Sequence, residues 1–330
     1  MRALGIEGTA HTISVGIVEE QGGRCRVLGQ ATKMHLPGAG KGIHPREAAD
    51  HHAEHIGVLV EQALQKADVD PGTLDLVAFS RGPGMGPCLR TAATAARAIA
   101  LRLGTPIVGV NHCVAHLEIG RGTTDAKDPI LLYVSGANTQ VIGEALGRYR
   151  VFGETLDIGV GNTLDKFARE RGLPFPGGPE IEKLARGGKT LLPLPYTVKG
   201  MDVAFSGILT AAEQYAQQGT PVEDLAFSLQ ETLFAMLTEV TERAMAHAGK
   251  DEVLLGGGVA RNKRLQAMVA EMAEARGARW FVPEPQLLTD NGAMIAWTGL
   301  VMHKAGVRHA LEQTIVDQRF RTDDVEVVWR

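Results

Sequence analysis

The chain has 330 residues, 44% hydrophobic and 22% charged, enough for about two domains of ordinary globular composition. Its formal net charge of −4 excludes a strongly basic nucleic-acid-coating protein. Three unpatterned cysteines exclude a disulfide framework, and no leader or apolar run near the ~18 residues of a membrane span is seen, so a cytoplasmic protein is expected.

In chain order, a strand over Ala3-Leu4-Gly5-Ile6 meets the turn Glu7-Gly8-Thr9. Strands at Thr12–Val18 and about Cys25–Thr32 complete an antiparallel meander. Small residues in the first turn would let backbone approach phosphate, and Glu7 could hold a metal or water; a plain hairpin explains the same residues. Residues 33–44 read as a loop with Pro37, Gly38, Gly40 and Gly42, and a helix runs from Pro45 to about Lys66. His51 and His55 stand four apart on it, mid-helix, where a structural role is favoured over metal ligation. A strand over Leu74–Ser80 leads into Arg81-Gly82-Pro83-Gly84-Met85-Gly86-Pro87. This is either an anion-holding loop at a helix start, aided by Arg81 and Arg90, or a tight crossover.

After a helix over Thr91–Leu103 and a strand at 106–110 come His112 and His116. On a helix they share one face, the spacing two imidazoles need to hold one metal ion. A pair of packed, backbone-bonded histidines fits equally well. The order β-β-β-α-β-α-β is one lobe of the ribonuclease-H-like fold used by actin, sugar kinases and the Hsp70 ATPase.

The pattern then restarts. Ile130–Val134 is a strand, Ser135-Gly136-Ala137-Asn138 a turn, and strands at Gln140–Gly143 and Arg148–Glu154 follow. Such a repeat implies two lobes with a ligand cleft between them. The expected division is 1–127 and 128–304, with a helical insertion at about 162–248 and a tail, 305–330, packing back on the first lobe. Asn162 or Thr163 is expected to cap a helix holding Asp165 in its first turn. Helices at about 207–218 and 222–248 precede the strand Val253-Leu254-Leu255, which runs into Gly256-Gly257-Gly258 and Asn262. That glycine run favours a nucleoside pocket over a packing turn. Trp280-Phe281-Val282 reads as an edge strand. Thr289 or Asp290 is expected to cap the helix after it.

Several of these motifs together resemble one family. They are Glu7-Gly8-Thr9, Asn111-His112-x-x-Ala115-His116, Tyr133-Val134-Ser135-Gly136, Asp157-Ile158-Gly159-x-Gly161-Asn162, Gly256-Gly257-Gly258-Val259-Ala260-x-Asn262 and Thr289-Asp290-Asn291-Gly292-Ala293. In this order they resemble the TsaD/Kae family, which makes N6-threonylcarbamoyladenosine in tRNA. Glu7-Gly8-Thr9-Ala10-His11 and Phe320-Arg321-Thr322-Asp323 look like its archaeal and eukaryotic branch. Ala137 stands where many relatives have glycine. The resemblance implies a two-lobed α/β fold of the actin/Hsp70/sugar-kinase class (ASKHA). It implies one metal ion, iron or zinc, on His112, His116 and Asp290, with Tyr133 a weaker ligand. It implies an adenylate, threonylcarbamoyl-AMP or ATP, with phosphate at Tyr133, Val134, Ser135, Gly136 and Ala137 and the nucleoside at Asp165, Gly178, Glu182 and Asn262. No general base is evident; Glu7 and His11 are candidates. The implied partners are tRNA and the KEOPS subunits: a small atypical kinase of the Bud family, a Pcc-type dimerisation subunit and a Cgi-type tRNA-binding subunit. A metallopeptidase is disfavoured, because Cys113 stands where a zincin needs glutamate. A small-molecule kinase or a non-catalytic ATP-binding scaffold on the same fold are the alternatives.

Overall fold

The computed structural model describes residues 1–36, 38 and 42–330. Part of the loop expected over 33–44 therefore lies outside the described residues. The chain divides into two compact units, residues 1–125, 146–149 and 289–330 in the first and 126–145 and 150–288 in the second.

The first unit begins with β1 (Arg2–Glu7), β2 (Thr12–Gln21) and β3 (Arg24–Met34). Helix α1 (Pro45–Ala67), β4 (Leu76–Gly82), α2 (Gly86–Leu103), β5 (Ile107–Asn111) and α3 (His112–Thr123) follow. The sheet order is β3-β2-β1-β4-β5. β1 pairs antiparallel with β2 and parallel with β4. Residues Thr12 to Val18 of β2 are all buried, as in a strand covered on both faces.

The second unit repeats the plan. It contains β6 (Ile130–Val134), β7 (Thr139–Ala145), all of β8 (Arg148–Glu154) from residue 150 on, α4 (Val160–Glu170) and α5 (Gly177–Ala185). A short ribbon, β9 (Val198–Lys199) and β10 (Asp202–Val203), precedes α6 (Ser206–Gln217) and α7 (Val222–Ala248). Then come β11 (Glu252–Gly256), α8 (Lys263–Ala275), β12 (Arg279–Phe281) and α9 (Pro285–Leu288). The order β12-β11-β6-β7-β8 is the first sheet's order read backwards. β6 pairs antiparallel with β7 and parallel with β11, as β1 does with β2 and β4. Each sheet is thus ribonuclease-H-like.

The last helix, α10 (Gly292–Lys304), returns to the first unit. The sequence assigned residues up to 304 to the second lobe; the glycines explain the correction. Gly5 and Gly16 face each other across β1 and β2. A Cβ on Gly5 would lie 2.2 Å from the Ala296 nitrogen, and one on Gly16 would lie 2.2 Å from the Ala293 nitrogen. The helix backbone therefore rests on the strand backbone, an approach that side chains forbid. The Gly292 N–H donates to Ser14 Oγ at 3.0 Å, fixing where the helix begins. The tail is fastened within the same unit: Arg97 Nε donates to Thr314 Oγ1 at 2.8 Å, and Trp329 Nε1 donates to the buried Glu118 at 2.8 Å.

Candidate metal centre and nucleotide loops

Three side chains of the first unit converge. Asn111 ends β5 and caps α3: its Oδ1 accepts from the Cys113 and Val114 amides at 3.0 and 3.1 Å, while its Nδ2 donates to the Phe320 carbonyl at 3.0 Å. The cap satisfies two of the helix's open N–H groups and sets His112 at its first position. His116 follows one turn later, the two rings 5.0 Å apart and nearly perpendicular. Both are buried. Asp290 arrives from the start of α10, its Oδ1 3.5 Å from His112 Nε2 and 3.4 Å from His116 Nε2. The sequence favoured a capping role for Asp290. The structure gives the cap to Asn291, whose Oδ1 accepts from the Met294 amide at 2.8 Å, and leaves the Asp290 carboxylate to the histidines.

Glu7 completes the arrangement from behind. It is wholly buried, and its Oε2 lies 3.0 Å from His112 Nδ1. Its other oxygen accepts from the Thr9 amide at 2.7 Å and from the Thr9 hydroxyl. Burial alone would depress the His112 pKa; the Glu7 and Asp290 carboxylates outweigh it and raise it to about 9. Burial lowers that of His116, with Asp290 opposing. For Asp290 burial pushes upward, but His112 and His116 hold it well below the usual carboxylate range, and His11 adds to that field. Two carboxylates around one imidazole make the pocket demand positive charge. Among the described residues, His112, His116 and Asp290 are the trio of His, Cys, Asp or Glu whose donor atoms all lie within 4.8 Å of one another.

The loop from Arg81 to Pro87 resolves as a crossover. The Met85 amide donates to the Thr9 carbonyl at 2.7 Å and the Gly84 amide to that of Gln318 at 3.3 Å, so neither is presented to an anion. Arg81 donates to the Ile315 carbonyl and lies over the Phe320 ring.

The second unit holds the other sequence candidates. Tyr133 and Val134 close β6, both wholly buried. Ser135 to Asn138 form a turn held by the Ser135 amide on the Asn138 carbonyl at 2.8 Å. Helix α4 packs its amino end directly on this turn. A Cβ on Gly159 would lie 2.3 Å from the Gly136 carbonyl oxygen, and one on Gly161 would lie 2.6 Å from that of Ser135. The Gly161 and Asn162 amides donate to these carbonyls, and the Val160 amide to Thr139 Oγ1. The expected cap by Asn162 or Thr163 is therefore corrected to Gly159, and Asp165 sits one turn further in. Gly257 crosses over β6 in the left-handed region (φ +91°), where a Cβ would lie 2.2 Å from the Val134 carbonyl oxygen.

The four nucleoside candidates are linked through the backbone. Asp165 accepts from the Gly177 amide at 2.7 Å, beside Gly178 at the start of α5. Glu182 on that helix accepts from the Lys263 amide at 3.1 Å. Asn262, immediately before, caps α8 by accepting from the Arg264 and Leu265 amides and donates to Gln230 at 2.9 Å.

Two residues quoted in the motifs have supporting roles that the sequence reading did not assign. Asn111 was legible as an N-cap before a helical histidine pair. Asp157 accepts from the Phe205 and Ser206 amides and the Ser206 hydroxyl, tying the loop before α4 to the start of α6. Nothing in its spacing marks that link of nearly fifty residues.

Compared with known proteins, the chain matches the family profile described as TsaD: tRNA N6-adenosine threonylcarbamoyltransferase, over residues 26–297. It belongs to that family. It is 58% identical to the tRNA N6-adenosine threonylcarbamoyltransferase of Thermococcus kodakarensis over 330 residues, all of both chains. It is 56% identical over 329 residues to a probable bifunctional tRNA threonylcarbamoyladenosine biosynthesis protein of Methanosarcina mazei, covering 99% of this chain but 59% of that protein. The chain thus spans about three-fifths of the bifunctional relatives and the whole of the others. Among solved structures, T. kodakarensis HypF superposes with a TM-score of 0.66 at 15% identity, over 96% of this chain and 49% of that one. The activator of 2-hydroxyisocaproyl-CoA dehydratase from Clostridium difficile gives 0.57 at 10%, over 94% and 99%. These likenesses concern the fold alone: the actin-like and sugar-kinase-like α/β class expected from the strand order. No helix among the described residues is long and apolar enough to cross a membrane.

Proposed function

We propose that this chain transfers the threonylcarbamoyl group of threonylcarbamoyl-AMP to N6 of the adenosine 3′ of the anticodon, in tRNAs reading codons that begin with A. One observation carries the reading: the His112, His116 and Asp290 trio, braced by Glu7, stands in a family member 58% identical to enzymes named for this transfer. The donor set fits iron or zinc, since two imidazole nitrogens and a carboxylate oxygen suit either. Glu7 on the far nitrogen of His112 is the bracing that ligating histidines need. When bound, the ion supplies Lewis acidity toward a carbonyl or phosphate oxygen.

The chain's own residues take the remaining roles. Phosphate is assigned to the turn after β6, at Gly136 and Ala137, because the Ser135 amide is spent on the Asn138 carbonyl and Tyr133 and Val134 lie within the strand. Asp165, Gly178, Glu182 and Asn262 hold the nucleoside of the adenylate, and ATP is the alternative nucleotide for the same residues. In the transfer the N6–carbonyl bond forms, the carbonyl–phosphate oxygen bond breaks, and AMP leaves with the electron pair. The amine proton needs an acceptor. Glu7 is buried and committed to His112 and Thr9, so it orients; His11 is the remaining candidate base.

The acceptor base is unstacked to be reached, which a loop adenosine allows. With a net charge of −4, the chain relies for tRNA on KEOPS-type partners, the Bud-family kinase, Pcc-type and Cgi-type subunits, in the cytoplasm. The test is reconstitution with threonylcarbamoyl-AMP, tRNA and those subunits, read by nucleoside mass spectrometry. The modified adenosine is expected; its absence with folded, metal-loaded protein overturns the reading. Tight, salt-sensitive tRNA binding by the isolated chain would remove the need for partners.

A further inference from the structure

A second group of imidazoles lies in the first unit, apart from the trio. Helix α1 carries His51 and His55 one turn apart, their ring centroids 4.3 Å from each other. His35, just beyond β3, brings a third ring to 5.5 Å from His51. His52 is turned into the core, where a Cβ on Gly8 would lie 3.5 Å from its ring.

The nitrogens are kept neutral and shielded, as ligation requires. His55 Nδ1 lies 2.8 Å from the His51 carbonyl oxygen, a bond it can make only as donor. In the neutral ring that places the proton on Nδ1 and leaves the Nε2 lone pair open, the tautomer a ligating histidine adopts. Both His51 nitrogens and His35 Nε2 are shielded from water and make no hydrogen bond among the described residues. Such shielded, unsatisfied imidazole nitrogens call for a partner. Carboxylate is at hand: Glu47, mostly exposed, lies 4.0 Å from His35 Nε2. Burial, then His55 and His35, lower the His51 pKa, keeping it in the neutral form that metals require. Lys33 opposes a cation there and Glu54 favours one.

We propose that His51 and His55 bind a second divalent transition cation of the nickel, copper or zinc class. These two, one turn apart on α1, supply the donor pair; water and a rotation of His35 toward the ion fill further positions. Three nitrogen donors without a bound thiolate favour these ions over calcium or magnesium. An ion there would cross-link the end of β3 to α1. Because its donor pair is not joined by a third within 4.8 Å, this site is weaker than that of His112, His116 and Asp290.

The test uses the full chain, stripped with chelator and titrated with Ni²⁺ or Zn²⁺ alone by calorimetry, with metal content measured after equilibrium dialysis. Two ions per chain are expected, the second weaker. Asp290→Asn should remove the tighter ion and keep the weaker. The double variant His51→Gln, His55→Gln should do the reverse, with an unchanged melting temperature. If the double variant is destabilised, single His55→Gln at its half-exposed position must weaken the second ion by at least tenfold. Saturation at one ion that Asp290→Asn abolishes, or two ions retained without His51 and His55, overturns the proposal. Loss of the tight ion alone would bear on the proposed transferase site and leave this one standing.

Discussion

The two units share a strand order but are packed by opposite means. In the first, Gly5 and Gly16 strip the middle of the sheet of side chains, and α10 lies on bare backbone with Gly292 and Ala293. In the second, α7 fills space with Leu229, Leu233, Phe234, Met236 and Leu237 against Ile130, Leu132 and Val141 of the sheet. Backbone on backbone has one fit, whereas apolar side chains repack around small changes. The difference shows where precision is kept. The rigid contact begins two residues after Asp290 and so fixes one donor of the trio. The glycines of the second unit instead bring loops together, Gly159 and Gly161 on the turn from Ser135.

The sharpest way to break this comparison is a paired substitution. Gly16→Val places a Cβ 2.2 Å from the Ala293 nitrogen, a clash with backbone that no rotamer relieves. It should cost more than the ~1–3 kcal/mol of ordinary overpacking. Met236→Leu in the second core conserves volume and should cost under about 1.5 kcal/mol. Denaturant midpoints of both variants measure this, and equal costs would sink the contrast.

A second contrast lies in the turns. The first unit's turn carries the buried Glu7 carboxylate; the second's is closed by Ser135 and Asn138, which are neutral. Glu7→Gln keeps the shape but removes the charge behind His112. Loss of such a brace typically costs ~10–100-fold in metal affinity, and that loss is expected here by equilibrium dialysis. Ser135→Ala should leave metal affinity unchanged. An equal effect from both would mean that Glu7 acts only as packing.

How much of this was legible follows the range of each interaction. The duplicated strand order was readable because meander turns and crossover helices are local patterns. The histidine pair was readable because i, i+4 spacing is local too. Asp290 was recognised through family resemblance, while local reasoning made it a cap; Asn291, one residue on, was the stronger cap, and only packing could decide. The membership of α10 was illegible because its partners, Gly5 and Gly16, lie almost the whole chain away. The role of Asp157 went unread for the same reason, since its donors come from residues 205 and 206.

Asp157 gives the second unit a pH signature of its own. Burial would raise its pKa, but hydrogen bonds from Phe205, Ser206 and Ile158 lower it from 3.8 to about 2. A depressed folded-state pKa stabilises above the unfolded value and loses that contribution as pH falls through the folded one. Stability of the α6 junction should therefore hold above about pH 4 and decline between about 4 and 2. The group is largely exposed, so solvent screening reduces the contribution to roughly 1 kcal/mol. Protection of the Phe205 and Ser206 amides, taken as exchange relative to the intrinsic rate at each pH, should fall over that window in the wild type. It should stay flat in Asp157→Asn. A parallel fall in both would assign the effect to other carboxylates.

The smallest expected effect is also the cleanest comparison, because the units use the same device for different ends. Asn111 and Asn262 are both N-caps whose side-chain oxygen takes two helix amides and whose Nδ2 donates elsewhere, to the Phe320 and Arg321 carbonyls and to Gln230 respectively. Replacing either with alanine should cost about 1 kcal/mol of stability, the usual worth of a cap. The consequences should then part. Asn111 sets the first turn of α3, so Asn111→Ala should weaken metal binding by misplacing His112. Asn262 sets the Lys263 amide that Glu182 accepts from, so Asn262→Ala should weaken adenylate binding and leave the metal untouched. Calorimetric titration of each variant with Zn²⁺ and with AMP separates the two. If both variants lost both ligands equally, the caps would be stabilising the whole chain rather than placing particular side chains.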